Sequence, residues 1–122
     1  MKIIAGGVAK TEVAEVLRPL LSPGDTVIVG TDMDAAVQLR AGQADYYMGT
    51  CHTGAGASLG VLVGLLGSDR THTFGRTIPS AAAIKAAVDE GNVAFGFALD
   101  QVQEVVPALW AELDGRRRGA DA

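Results

Sequence analysis

The sequence holds one cysteine, two histidines and no apolar run of membrane-spanning length. A single cysteine excludes an intramolecular disulfide and gives no sign of secretion. Cys51, His52 and His72 do not fall into a spacing that holds zinc. The longest apolar stretch, near Gly54 to Gly67, is short for a bilayer and rich in glycine. The first residues enter a strand pattern at once, without the charged-then-apolar layout of a signal peptide, so a cytoplasmic protein is expected. Positive charge is scarce as well: the net charge of −4 argues against general affinity for nucleic acid or acidic membranes. There is no Walker loop, and GxGxxG is missing from the first strand–helix turn, so no cofactor is expected.

What is present suits one folded domain. The chain has 122 residues, 48% hydrophobic and 20% charged, enough apolar surface for a core. We read residues 1–115 as a single α/β domain and 116–122, which contain Arg116-Arg117-Arg118, as a polar tail. Positive mean hydropathy in so small a chain points to an apolar surface patch. That implies a homo-oligomer, through the Leu/Val-rich faces of the Gly54–Gly67 and Val102–Leu113 segments.

Strand and helix patterns alternate along the chain. Lys2 to Gly7 reads as a strand with a glycine exit. Thr11 is placed to cap a helix whose apolar positions are Val13, Val16, Leu17, Leu20 and Leu21. Thr26 to Val29 is a β-branched strand. Asp32 then caps a short helix with Met33, Ala36, Val37 and Leu39 inward, stopped by Gly42. Ala44 to Met48 is the third strand, and an apolar helix ends at Gly67. Thr71 to Phe74 is a polar fourth strand. Ser80 caps a helix carrying Ala83, Ile84, Ala87 and Val88, and Val93 to Phe97 is the fifth strand. Asp100 and Gln103 have capping-box spacing before a last helix that Pro107 should kink or divide. This alternation predicts a three-layer α/β/α sandwich around a five-stranded parallel sheet, Rossmann-like or flavodoxin-like. With the common order 2-1-3-4-5, ligands would bind beyond the carboxyl ends of strands one and three. The loop Gly6-Gly7-Val8 lies there, bordered by Thr31 and Asp32.

The stretch Gly49-Thr50-Cys51-His52-Thr53-Gly54-Ala55-Gly56-Ala57-Ser58 is the other loop at that edge. Read as a strand-to-helix turn, it offers backbone amides and a helix start to an anion. Cys51 there is either a base or nucleophile favoured by the helix N-terminus, or a small side chain that fits a tight turn. His52 either shares a proton with it or faces water. Thr53 and Ser58 donate to a phosphate or carboxylate, or Thr53 only caps the helix. Gly54 and Gly56 serve an anion or close packing. Arg76 is a candidate for holding an anionic group. Asp32 and Asp34 form either a carboxylate pair or a helix cap with first-turn charge.

Two resemblances follow from these residues. Asp45-Tyr46-Tyr47-Met48-Gly49-Thr50-Cys51-His52-Thr53-Gly54-Ala55-Gly56, with Asp32-Met33-Asp34-Ala35-Ala36 and Val93-Ala94-Phe95-Gly96, resembles the YhfU-like family of small bacterial proteins. The likeness covers most of the chain; it implies an α/β fold and a bacterial cytoplasmic origin, and carries no activity. Locally, Cys51-x-Thr53-Gly54-x-Gly56-x-Ser58 is similar to the turn of the ribose-5-phosphate isomerase B group. That resemblance implies a proton-transfer base at Cys51, an oxyanion held by the amides around Gly54 and Gly56, and ring opening assisted by Thr53. The group's first loop carries Asp-His where this chain has Gly6-Gly7, and His52 stands where the group has glycine.

The function expected is binding of a small anionic metabolite, with a sugar phosphate among the candidates, at the glycine-rich turn. Isomerase-type proton transfer by Cys51, His52 and Thr53 is the catalytic version, with Gly6, Gly7, Asp32, Gly54, Gly56, Ser58 and Arg76 binding the ligand. The alternative is a non-catalytic structural or regulatory subunit of an oligomeric assembly.

Overall fold

The computed structural model describes residues 1–54 and 59–121. Five strands, β1 (Lys2–Gly7), β2 (Thr26–Val29), β3 (Tyr46–Cys51), β4 (Thr71–Thr73) and β5 (Ala94–Ala98), form one sheet in which every pairing is parallel. The helices are α1 (Lys10–Leu17), α2 (Asp32–Arg40), α3 (Gly60–Leu66), α4 (Ala81–Asp89) and α5 (Val102–Asp121). Ile3, Ala5, Met48, Phe95 and Phe97 face a core built with α1, α4 and α5. The alternate residues Ile4, Tyr47 and Ala94 face a second core with Ala35, Ala36, Leu39, Leu59 and Leu62. This is the expected three-layer α/β/α sandwich. No helix among the described residues is long and apolar enough to cross a membrane.

The strand order is β2-β1-β3-β5-β4, not 2-1-3-4-5. The reason lies in side-chain polarity. AFGFA is buried at every position and takes an interior slot, whereas Thr71-His72-Thr73 is partly exposed and takes the edge. The crossover between β1 and β3 is unchanged. Gly6, Gly49 and Gly96 are register partners across β1, β3 and β5. The Tyr47 ring occupies the space a Cβ on Gly6 would need, and Leu59 lies 3.2 Å from where a Cβ on Gly96 would sit. Glycine in these strands lets large side chains lie flat on the sheet.

Several local expectations are corrected. α1 begins at Lys10, with Ala9 rather than Thr11 as N-cap, and Pro19 tightens its end into a 3-10 turn over Arg18–Leu20 that leaves Leu20 exposed. The cap of α2 is Thr31, not Asp32. Thr31 Oγ1 accepts from the Asp34 amide at 3.0 Å and Asp34 Oδ2 from the Thr31 amide at 3.2 Å, a capping box. Ala35, Ala36 and Leu39 face inward on α2, while Met33 and Val37 are exposed.

α5 is one helix despite Pro107. Val105, Val106, Leu109 and Leu113 are buried on both sides of the proline, and that burial outweighs one lost hydrogen bond. Asp100 and Gln103 bond elsewhere, Asp100 Oδ2 accepting from Arg76 and Gln103 Nε2 donating to Glu12. Residues 116–121, expected as a tail, continue α5. Arg117 donates to Asp25 Oδ1 at 2.7 Å and to Asp114, and its guanidinium lies 5.9 Å from the Trp110 ring centroid. The N-terminal ammonium donates to the same Asp25 oxygen at 2.6 Å. The apolar stripe of α5 is buried inside the monomer.

Candidate functional site

The carboxyl edge of the sheet is organised by Thr50, a buried residue near the end of β3. Its hydroxyl donates to the Gly6 carbonyl at 3.1 Å and accepts from the Ala9 amide at 2.8 Å, while its carbonyl accepts from the Val8 amide at 3.1 Å. Ala9 has no side-chain cap of its own, so a neighbouring strand supplies one. Gly7, at φ +83, sits against the Thr50 backbone so closely that a Cβ would collide with its carbonyl. The β1–α1 loop is therefore pinned flat against β3.

Beside this loop opens a cavity of about 260 Å³, lined by Gly7, Lys10, Gly30, Thr31, Asp32 and Tyr47. Lys10 opens α1, Gly30 follows β2, Thr31 and Asp32 start α2, and Tyr47 comes from β3. Asp32 Oδ1 accepts from the Met33 amide at 2.9 Å. Burial, and after it the negative charge of Asp32, push the Tyr47 phenol well above its ordinary range. The phenol thus stays protonated in the core. Among the described residues no carboxylate lies within ion-pairing distance of the Lys10 ammonium. A lysine and an aspartate, with the fully buried Tyr47 beneath them, line one small cavity at the point where the strand order reverses. A larger cavity, about 420 Å³, lies at the opposite edge around Arg18, Ser22, Asp25 and Thr26. Its carboxylate is already taken by Arg117 and the N-terminal ammonium.

The Cys51 turn is built differently from the expectation. β3 runs on through Gly49-Thr50-Cys51, and Cys51 pairs with Ala98 in the sheet. Among the described residues the α-helix that follows β3 is α3, which starts at Gly60. Its side chain is buried at 7% exposure, on the sheet face that also carries Tyr47. The Gly54 amide donates to Cys51 Sγ at 3.0 Å. Gly54 itself, at φ +72, packs so tightly that a Cβ would collide with the Gly75 carbonyl and approach the Ala98 nitrogen to 3.1 Å. Arg76 Nη1 donates to the His52 carbonyl at 2.8 Å and Nη2 to Asp100 Oδ2 at 3.4 Å, and Gln101 Nε2 donates to the Arg76 carbonyl. Arg76 therefore braces the turn. His52 and Thr53 are exposed, and Gly56 and Ser58 lie outside the described residues.

Residues 1–113 match the family model described as "Protein of unknown function DUF2620". The chain belongs to the DUF2620 family. It is similar to the uncharacterized protein YhfU of Escherichia coli K12, 31% identical over 112 residues that cover 88% of this chain and 94% of YhfU. The YhfU of Shigella flexneri matches with the same identity and coverage. Membership in DUF2620 confirms the YhfU-like resemblance read from the sequence. The matched span takes in the cavity and the Cys51 turn alike.

In this DUF2620 member the expected site residues separate into two neighbouring groups. Gly7 and Asp32 line the cavity; Gly6 does not, because the Tyr47 ring covers it. Cys51, His52, Gly54 and Arg76 form the braced turn over β3 and β5. Thr50 links the two, as register partner of Gly7 and chain neighbour of Cys51. Sequence reasoning missed Lys10, Gly30 and Tyr47 as parts of this edge, and gave Thr50, inside the stretch it placed there, no role of its own. Position was the one signal for Lys10, Gly30 and Thr50, each within one residue of a strand's carboxyl end or of a helix start; Tyr47, near the start of β3, lacks it. Among the described residues no three His, Cys, Asp or Glu side chains group closely enough to hold a metal ion.

Proposed function

We propose that the protein binds a small anionic metabolite, sugar phosphates included, in the cytoplasm, at the cavity over β1, β2 and β3. The observation that carries this reading is the Lys10 ammonium at a cavity whose other walls include the Gly7 and Gly30 backbone and the first turn of α2. The ligand site thus moves from the Cys51 turn to the neighbouring crossover. The isomerase-type step draws support from the Gly54 amide on Cys51 Sγ, a donor that a thiolate accepts more strongly than a thiol. Cys51 is not among the cavity-lining residues, so binding, rather than turnover, is the function put forward. A melting screen over phosphate, phosphorylated and carboxylated metabolites tests it. A ligand that raises the Tm of the wild type and not of Lys10→Ala supports the reading. No shift with any anion at millimolar concentration sinks it.

A second reading, a homo-oligomeric subunit, is favoured by the β2 edge. Ile28 and Val29 are exposed there beside Met33 and Val37 of α2, and β2 carries neither proline nor lysine to discourage pairing. Light scattering at micromolar concentration tests it: a dimer that Ile28→Lys with Val37→Lys dissociates supports the edge contact, and a wild-type monomer refutes it.

A further inference from the structure

β2 is an edge strand with backbone groups to spare. The Thr26 amide donates to the Met1 carbonyl at 2.9 Å and the Gly30 amide to the Ala5 carbonyl at 3.0 Å. Even-numbered residues of β2 therefore turn their backbone groups towards β1, and Val27 and Val29 turn theirs outward. Among the described residues nothing pairs with those outward groups. The side chains do not guard this edge: Ile28 is 38% and Val29 48% exposed. The opposite edge, β4, is only Thr71-His72-Thr73, a short polar strand of the kind that discourages pairing.

The two ends of β2 say what covers it. At the amino end Arg18 lines the 420 Å³ cavity with Asp25 and Thr26. Asp25 is already held by Arg117 and the N-terminal ammonium, whereas among the described residues no carboxylate lies within ion-pairing distance of Arg18. At the carboxyl end Asp32 lines the 260 Å³ cavity with Gly30 and Thr31, and among the described residues no cation ion-pairs with it. A strand with a free cation at one end and a free carboxylate at the other is complementary to itself when turned end for end.

The backbone also fixes the register. The Asp25 amide already donates to the Ser22 carbonyl, and the Thr31 amide to Asp34 Oδ2. The free stretch is thus Val27 to Val29, and its centre is Ile28. A two-fold axis at Ile28 sets Val27 of each copy against Val29 of the other as hydrogen-bonded pairs. Moving the axis by one residue in either direction would oppose Val29 to Asp25 or Val27 to Thr31, whose amides are taken.

We infer that two copies pair antiparallel through β2 about Ile28, joining their sheets into one and bringing Arg18 of each copy to Asp32 at the mouth of the other's smaller cavity. This rests on the homo-oligomeric reading above. The pairing also completes the cavity, because Arg18 of the second copy offsets the Asp32 charge that an anion on Lys10 would otherwise face.

Crosslinking and charge exchange test it, in a Cys51→Ser background so that only introduced thiols react. On the axis the two Ile28 Cα atoms lie ~4.5 Å apart, within the span of a disulfide. Ile28→Cys is therefore expected to form an intermolecular disulfide with oxidised glutathione at micromolar protein. Ile78→Cys, equally open but in the loop after β4, is the control and should crosslink far more slowly. By light scattering and dilution, Arg18→Glu and Asp32→Arg should each weaken the dimer roughly tenfold, and the two together should restore most of the loss. If the wild type is a dimer but Ile28→Cys crosslinks no faster than Ile78→Cys, or the charge exchange restores nothing, this pairing is overturned and the oligomeric reading stands. A wild-type monomer at micromolar concentration overturns both.

Discussion

The Ala9 amide at the start of α1 is capped by Thr50, forty-one positions later in the chain, through a 2.8 Å hydrogen bond to its hydroxyl. The same hydroxyl donates to the Gly6 carbonyl at 3.1 Å, so one oxygen joins β1, α1 and β3 at the carboxyl edge of the sheet. Thr50→Val keeps the shape and leaves a buried donor and acceptor unpaired. We expect a loss of about 1–3 kcal/mol, read as a Tm lower by roughly 3–10 °C. Thr50→Ser should restore most of it.

Gly54→Ala tests whether the Cys51 turn is as tightly packed as its backbone implies. Here a Cβ would collide with the Gly75 carbonyl. Gly91, at φ +89, has nothing within 4 Å of its Cβ position and serves as the control. The expected cost is on the order of 3 kcal/mol or more at Gly54 and about 1–2 kcal/mol at Gly91. Equal losses in urea denaturation would show that backbone strain alone, and not packing, holds the turn.

Cys51 offers a kinetic readout of its burial. In a strand at 7% exposure, it should react with iodoacetamide at pH 8 far more slowly in the native protein than in urea. Native labelling as fast as unfolded labelling would mean that the turn opens readily. Cys51→Ser should leave ligand-induced Tm shifts in place, since Cys51 does not line the cavity.

We expect Asp25 to contribute to acid stability. Burial opposes its charge, but hydrogen bonds from Arg117, the N-terminal ammonium and the Ser22 amide outweigh that and lower it from 3.8 to about 2. A carboxylate depressed in the folded state stabilises the fold above the unfolded value and loses that contribution as pH falls from about 4 to about 2. The amount, discounted for solvent screening, is on the order of 1–2 kcal/mol. Asp25→Asn should lower the Tm at pH 7 and flatten its decline between pH 4 and pH 2. A parallel decline in both proteins would assign acid sensitivity to other carboxylates.

The sheet and its two helical layers were legible because strand runs such as Thr26–Val29 and Lys2–Gly7 alternate with stripes such as Val13 and Leu17. The end of β3 was not. Gly49 and Thr50 look like turn residues, yet Gly49 is needed under the register with Gly6 and Gly96, and Thr50 is needed for its hydroxyl. Both reasons are tertiary, and neither leaves a local pattern. The exchange of β4 and β5 was readable in principle, from the apolar AFGFA against the polar Thr71-His72-Thr73. At the site, Gly7 and Asp32 stood out by loop position. Tyr47 did not, because a tyrosine in an apolar strand reads as core, and it is core: its ring lies buried over the missing side chain of Gly6, beneath the cavity.

The placement of β5 between β3 and β4 bears on how the chain is made. β1, β2 and β3 are contiguous in the sheet and occupy the first 51 residues, so the strands bordering the cavity are made early in synthesis. β4 has no neighbour in the sheet until residues 94–98 emerge and slide in beside it. The nascent protein must carry an unpaired strand for about twenty residues, and a three-residue, threonine-rich β4 is one that can wait in water without seeking another partner.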